Sequence, residues 1–71
     1  MASAEQLQKW CAQILDLVDN GTDNVNDIIA ARGGKRMSTL LAINTLIASR
    51  TLYRQGNLVW RIDKGLFPTH R

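Results

Sequence analysis

The sequence is poor in the residues that cross-link or divide small proteins. Cysteine, proline and histidine each occur once among its 71 residues, and aromatic residues make up only 6%. The lone Cys11 excludes an internal disulfide and favours a reducing compartment. Because the only proline is Pro68, no proline-rich linker divides the chain. This length suits one domain, so we expect a single domain over residues 1–71 with a low free energy of unfolding.

Long apolar runs are missing as well. The longest uncharged run, residues 37–49, is too short and too interrupted by Ser, Thr and Asn to cross a bilayer. The first five residues lack the basic start and the apolar stretch of a secretory signal. We therefore expect a cytoplasmic protein with no membrane partner.

No pattern of catalytic or metal-binding residues is present. Cys11 and His70 lie at opposite ends of the chain, so neither a nucleophilic set nor a zinc spacing can be assembled from the sequence. Residues 33–35, Gly-Gly-Lys, lack the first glycine and the following Ser or Thr of a phosphate-binding loop. The four aspartates between residues 16 and 27 do not follow a calcium-loop pattern. The sequence predicts no enzyme, no metal and no cofactor.

Charge is distributed unevenly along the chain. Residues 1–31 hold five acids and one base, for a net charge of −4, whereas residues 32–71 hold eight bases and one acid, for a net charge of +7. This polarity favours an anionic partner for the second half, and nucleic acid is the commonest such partner. An ordinary solvated surface is the alternative.

Helical periodicity dominates the first two thirds of the sequence. Ser3 and Gln6 form a capping box that starts a first helix over about 4–18, with apolar residues at steps of three and four. A second helix is predicted over about 24–32, and a third follows a pair of glycines over about 36–49. Two helices that meet across a short glycine turn are typical of a helix-turn-helix.

After residue 50 the sequence pattern changes from that of a helix to that of a β-hairpin. β-Branched and aromatic residues flank turn residues 55–57, which predicts a two-stranded wing over about 51–63 and leaves a tail at 64–71. A two-residue turn would place Tyr53 opposite Trp60 on the face toward the body. Arg54 and Arg61 would then form an outer cationic face, although a longer loop would shift this register.

This order of elements resembles the winged helix-turn-helix superfamily, a mainly α class with a β-hairpin (α+β). The resemblance covers about residues 4–64. It is carried by the second helix with its turn glycine (28–33), by Ile43 and Leu46 of the third helix, and by the wing at 52–62. In length the chain is similar to compact bacterial operon regulators, and its brevity suggests a phage or plasmid regulator. Arg50 stands where the family usually has glycine.

The resemblance implies that the third helix enters the major groove of double-stranded DNA and that the wing touches the flanking backbone. The implied major-groove residues are Lys35, Arg36, Ser38 and Thr39, and the implied backbone residues are Arg50, Arg54, Arg61 and Lys64. The chain would then be a small transcription regulator that acts as a homodimer or with a partner regulatory protein.

The third helix also allows a different function. Its predicted exposed face is poor in the Arg, Asn and Gln side chains that read bases. That face consists of Ser38, Thr39, Leu41, Ala42, Thr45 and Ser49. A winged-helix module that binds a host protein through Leu41, Ala42 and Thr45, or through the acidic first half, is the main alternative. A nonspecific architectural DNA binder is another.

Overall fold

Three helices precede a two-stranded antiparallel hairpin in the computed structural model, which describes residues 3–62. The elements are α1 (Ala4–Asp19), α2 (Val25–Ala31), α3 (Arg36–Ala48), β1 (Leu52–Gln55) and β2 (Leu58–Arg61). The predicted α+β layout and order of elements are thus confirmed. The predicted tail at 64–71, including Lys64, lies outside the described residues.

Local side-chain chemistry sets the helix boundaries. The Ser3 hydroxyl accepts a hydrogen bond from the Gln6 backbone N–H at 3.1 Å, as the capping box predicts. Asn24 caps α2 by accepting from the Asn26 backbone N–H at 2.9 Å. The two glycines between α2 and α3 have φ of +75° and +79°, a conformation that other residues rarely adopt. They let the chain leave α2 at Ala31 and begin α3 at Arg36.

One hydrophobic core joins all five elements. Ile14 of α1, Ile28 of α2, Ile43 of α3, Leu52 of β1 and Val59 of β2 are each at most 1% exposed. Burial of such side chains is the main favourable contribution to folding. The core therefore fixes the hairpin directly against the helices.

The predicted hairpin register is confirmed. Gln55 pairs with Leu58 and Tyr53 with Trp60, so Gly56 and Asn57 form the two-residue turn. Gly56 has φ of +60°, the positive value that the first residue of a type II′ turn requires.

The α1–α2 connection pairs with the outer edge of β2. The Val59 N–H donates to the Asp23 carbonyl at 2.9 Å, and the Val25 N–H donates to the Asn57 carbonyl at 2.6 Å. Asn24 forms an isolated bridge with Leu58 between these two bonds. The hairpin is thereby anchored at its turn as well as through the core.

The predicted orientation of the hairpin faces is wrong. Leu52 and Val59 are buried on the same face as Arg54 and Arg61, whereas Tyr53 on the opposite face is 44% exposed. The side chains of a strand alternate between its faces, so burying Leu52 and Val59 also turns the two arginines inward. The face that carries Tyr53 and Trp60 is the outer one, where their ring centroids lie 5.8 Å apart.

An ion pair makes the inward position of Arg61 possible. Its guanidinium NH1 lies 2.9 Å from both carboxylate oxygens of Asp19, at the end of α1. Arg61 is only 7% exposed, and a buried charge requires such a partner. Arg61 thus joins β2 to α1 and does not belong to an outer cationic surface.

We expect Arg61→Met to lower the free energy of unfolding by about 1–2 kcal/mol, because it removes a charged hydrogen bond from a site that water reaches only partly. Urea denaturation followed by circular dichroism measures this loss. Asp19→Asn is the matched variant, and the double variant should lose less than the sum of the two single losses. Strictly additive losses would contradict a direct coupling.

Arg50 has the backbone conformation that glycine favours. It follows the end of α3 with φ of +63°, and among residues 3–62 it is the only non-glycine residue with positive φ. The junction between α3 and β1 therefore requires the left-handed conformation at this position. A side chain at such a position costs roughly 1–2 kcal/mol.

We expect Arg50→Gly to raise the free energy of unfolding by about 0.5–1 kcal/mol, because relief of the strained conformation outweighs the greater entropy of glycine in the unfolded chain. Thermal and urea unfolding both report this gain. Arg50→Ala, which removes the charge but keeps the Cβ atom, is the control and should show no such increase.

Candidate nucleic-acid interface

The outer face of α3 consists of four exposed residues at helical spacing: Met37, Leu41, Asn44 and Ala48. Steps of four, three and four place them on one side of a helix. Met37 is 84% exposed and Leu41 is 47% exposed, so the face is open in the part of the chain that the structure describes. We call these four residues the α3 outer face.

This face differs from the one predicted from the sequence. Thr39 and Ala42, both predicted to be exposed, are 0% exposed because they lie on the opposite side of α3 together with Ile43 and Leu46. A fully buried Thr39 offers DNA no surface, so its predicted position in a binding site is wrong. Ala42 likewise cannot form part of a protein-docking face.

Arg32 at the end of α2 holds the start of α3 in place. Its NH1 donates to the hydroxyl oxygens of Ser38 at 3.0 Å and Thr39 at 2.6 Å. Its Nε donates to the side-chain oxygen of Gln13 at 3.2 Å, and its guanidinium lies 5.8 Å from the ring centroid of Trp10. Arg32 therefore connects all three helices. Ser38, predicted to contact DNA, is half-buried and accepts an internal hydrogen bond from Arg32.

Cations remain exposed at both ends of α3. Lys35 and Arg36 lie at its start, and Arg50 lies just beyond its end. No hydrogen bond or ion pair involves these three side chains within residues 3–62. Lys35 caps α3 without a side-chain hydrogen bond, so the first turn also presents backbone N–H groups and the positive end of the helix dipole. This end of α3 suits an anion.

The wing contributes fewer free cations than predicted. Arg54 is half-buried, and its Nε donates to the Gly56 carbonyl at 2.7 Å, beside the hairpin turn. Arg61 is buried against Asp19. Arg54 shares the inward face of the hairpin, but beside the turn it keeps part of its surface accessible, whereas Arg61 is buried.

Asn44 is a candidate that the sequence prediction missed. It lies three residues after Leu41 and seven after Met37, which places it in the middle of the α3 outer face. Leu41 was predicted to be exposed from the sequence. A residue three positions further along a helix lies on the same side, so this spacing alone could have identified Asn44. The predicted face was centred about a quarter of a turn away and shares Leu41 alone with the α3 outer face.

Cys11 has an internal role. It is half-buried, and its thiol donates to the Ala42 carbonyl over 3.7 Å. Burial raises the pKa of the Cys11 thiol, which favours the neutral and unreactive form.

Residues 3–62 offer neither a cluster of metal ligands nor a helix that could span a membrane. That region contains no group of three His, Cys, Asp or Glu residues that could hold a metal ion. None of its helices has the length and apolar character that crossing a membrane requires.

Comparison with family models, curated proteins and solved structures gives no match for this chain. The candidate site is therefore defined by the geometry of this chain alone and not by comparison with a known protein. It consists of the α3 outer face, with Lys35 and Arg36 at one end and Arg50 at the other.

We expect Arg32→Ala to lower the free energy of unfolding by about 2 kcal/mol, because the buried Thr39 hydroxyl loses its partner and the three helices lose their shared contact. Urea denaturation measures the loss. Thr39→Val is the matched variant, and in its presence Arg32→Ala should cost clearly less. An equal cost in both backgrounds would contradict the role of the Thr39 bond.

Proposed function

We propose that this chain is a small DNA-binding transcription regulator of the winged helix-turn-helix type, acting in the cytoplasm. The observation that carries the proposal is the exposed helix face with unpaired cations at both ends, namely Lys35 and Arg36 at the start of α3 and Arg50 after its end. In duplex DNA the phosphate groups form two rows, one on each side of the major groove, so they match cations at the two ends of a helix.

The dimensions of α3 suit this partner. From Arg36 to Ala48 the helix rises about 18 Å at 1.5 Å per residue. The major groove is about 12 Å wide and admits an α-helix. A helix of this length lying across the groove brings its two cationic ends to opposite phosphate backbones.

The wing supports the same orientation. The core and the α1–α2 connection hold the hairpin next to α3, so its position relative to the helix is constrained. Arg54 beside the turn is then available to a flanking phosphate. Arg61 is assigned a structural role, because its charge is already paired with Asp19.

Because one copy of the chain makes few phosphate contacts, it should bind DNA with only moderate affinity. The cations available on α3 and the hairpin within residues 3–62 are Lys35, Arg36, Arg50 and Arg54. A regulator with so few contacts gains affinity from a homodimer or from a partner regulatory protein. For a two-fold pair, half-sites about 10 base pairs apart are expected.

Exposed apolar side chains favour a second candidate function, a protein-interaction module. Met37 at 84% exposure and Leu41 at 47% are large apolar groups on the same α3 outer face. Such groups often mark protein-binding surfaces. Binding to DNA and binding to an apolar protein groove differ sharply in their dependence on salt.

Fluorescence anisotropy of labelled duplex DNA, titrated at several salt concentrations, tests the proposal. We expect the affinity to fall steeply as salt rises, because each phosphate contact releases counterions. Replacing Lys35 and Arg36 with glutamine should reduce the slope of log K against log salt by about 2, or roughly one unit per lost contact.

Lys9→Gln is the matched control, since it removes one exposed charge from α1 and should leave the slope unchanged. An unchanged slope in the Lys35/Arg36 double variant would refute the assigned contacts. Absence of salt-dependent binding to any duplex would refute the DNA-binding function and leave the interaction module as the better candidate.

A further inference from the structure

We infer that Asn44 determines sequence specificity and that the α3 outer face reads A·T base pairs in the major groove. The inference rests on the proposed DNA-binding function and names the DNA sequence class that the face recognises. It follows from the hydrogen-bonding state of Asn44, the apolar nature of its neighbours and the position of the cations.

Asn44 differs from the other uncharged polar side chains of α3. Ser38 and Thr39 accept hydrogen bonds from Arg32, and the Thr45 hydroxyl donates to the Leu41 carbonyl at 2.9 Å. Asn44 is exposed, and its amide makes no hydrogen bond within residues 3–62. It is therefore the exposed uncharged polar side chain of this helix whose donors and acceptor are all open to an external partner.

The chemistry of an amide selects adenine. The Asn44 side chain presents one acceptor oxygen beside an NH₂ donor. In the major groove adenine offers the complementary pair, the N7 acceptor and the N6 donor, whereas guanine offers two acceptors and cytosine a single donor. A bidentate contact is therefore available with adenine only.

The neighbours of Asn44 favour thymine. Met37, Leu41 and Ala48 are apolar, and the thymine methyl is the apolar group that the major groove displays.

Charge is confined to the ends of this face. Lys35, Arg36 and Arg50 flank it, and none of its four residues is an Arg, Lys, Asp or Glu that would pair with guanine or cytosine. The cations therefore position the helix on phosphates, while the centre of the face reads the bases.

The test compares anisotropy titrations of the full chain at low salt with an alternating A·T duplex and an alternating G·C duplex of equal length. We expect about tenfold tighter binding to the A·T duplex. Replacing thymine with uracil removes only the methyl group, and replacing adenine with 7-deazaadenine removes only N7. Each replacement should weaken binding several-fold. Because both changes lie in the major groove, they exclude an A·T preference that arises from a narrow minor groove.

Asn44→Ala should abolish most of the preference for A·T over G·C while leaving the salt slope unchanged, since the phosphate contacts remain. Circular dichroism should show an intact fold, because Asn44 makes no internal hydrogen bond and alanine is a good helix former. Asn26→Ala, at an exposed asparagine of α2, is the matched control and should retain the full preference.

The outcomes separate the two proposals. Salt-dependent binding with equal affinity for both duplexes, or an A·T preference that survives Asn44→Ala, would overturn this inference and leave the DNA-binding function intact. Absence of salt-dependent binding to every duplex would overturn both.

Discussion

Burial of Leu52 and Val59 against the helices is the constraint on which the rest of the structure depends. These two side chains are 1% exposed and complete a core built from α1, α2 and α3. Because strand side chains alternate, this burial decides which face of the hairpin meets the body and which meets solvent. It carries Arg61 inward and leaves Tyr53 outward, so the electrostatics of the wing follow from aliphatic packing.

The basic residues of the second half divide into structural and available groups. Arg32 and Arg61 bind internal acceptors and hold the helices and the hairpin together. Lys35, Arg36 and Arg50 remain exposed at the ends of α3. Arginine suits the internal role because its several N–H donors can satisfy several acceptors at once, as Arg32 does. The net charge of the second half therefore overstates the positive charge that a ligand can contact.

The candidate site is accordingly smaller and more sharply defined than charge counting indicates. It combines one helix face of three apolar residues and Asn44 with cations that flank it at both ends. Arg50 occupies a backbone conformation that glycine would adopt more easily, and it contributes its charge at that position. Position on α3, and not the number of basic residues, decides which groups can act together.

Periodicity and turn chemistry alone determined the three helices, their order and the hairpin register. These features depend on neighbours within a few residues, such as the Ser3 cap and the turn at Gly56. Tertiary structure alone decided the hairpin orientation, the Asp19–Arg61 pair and the burial of Thr39. Those outcomes depend on contacts between distant segments, where core packing selects one of two faces that local sequence leaves nearly equivalent.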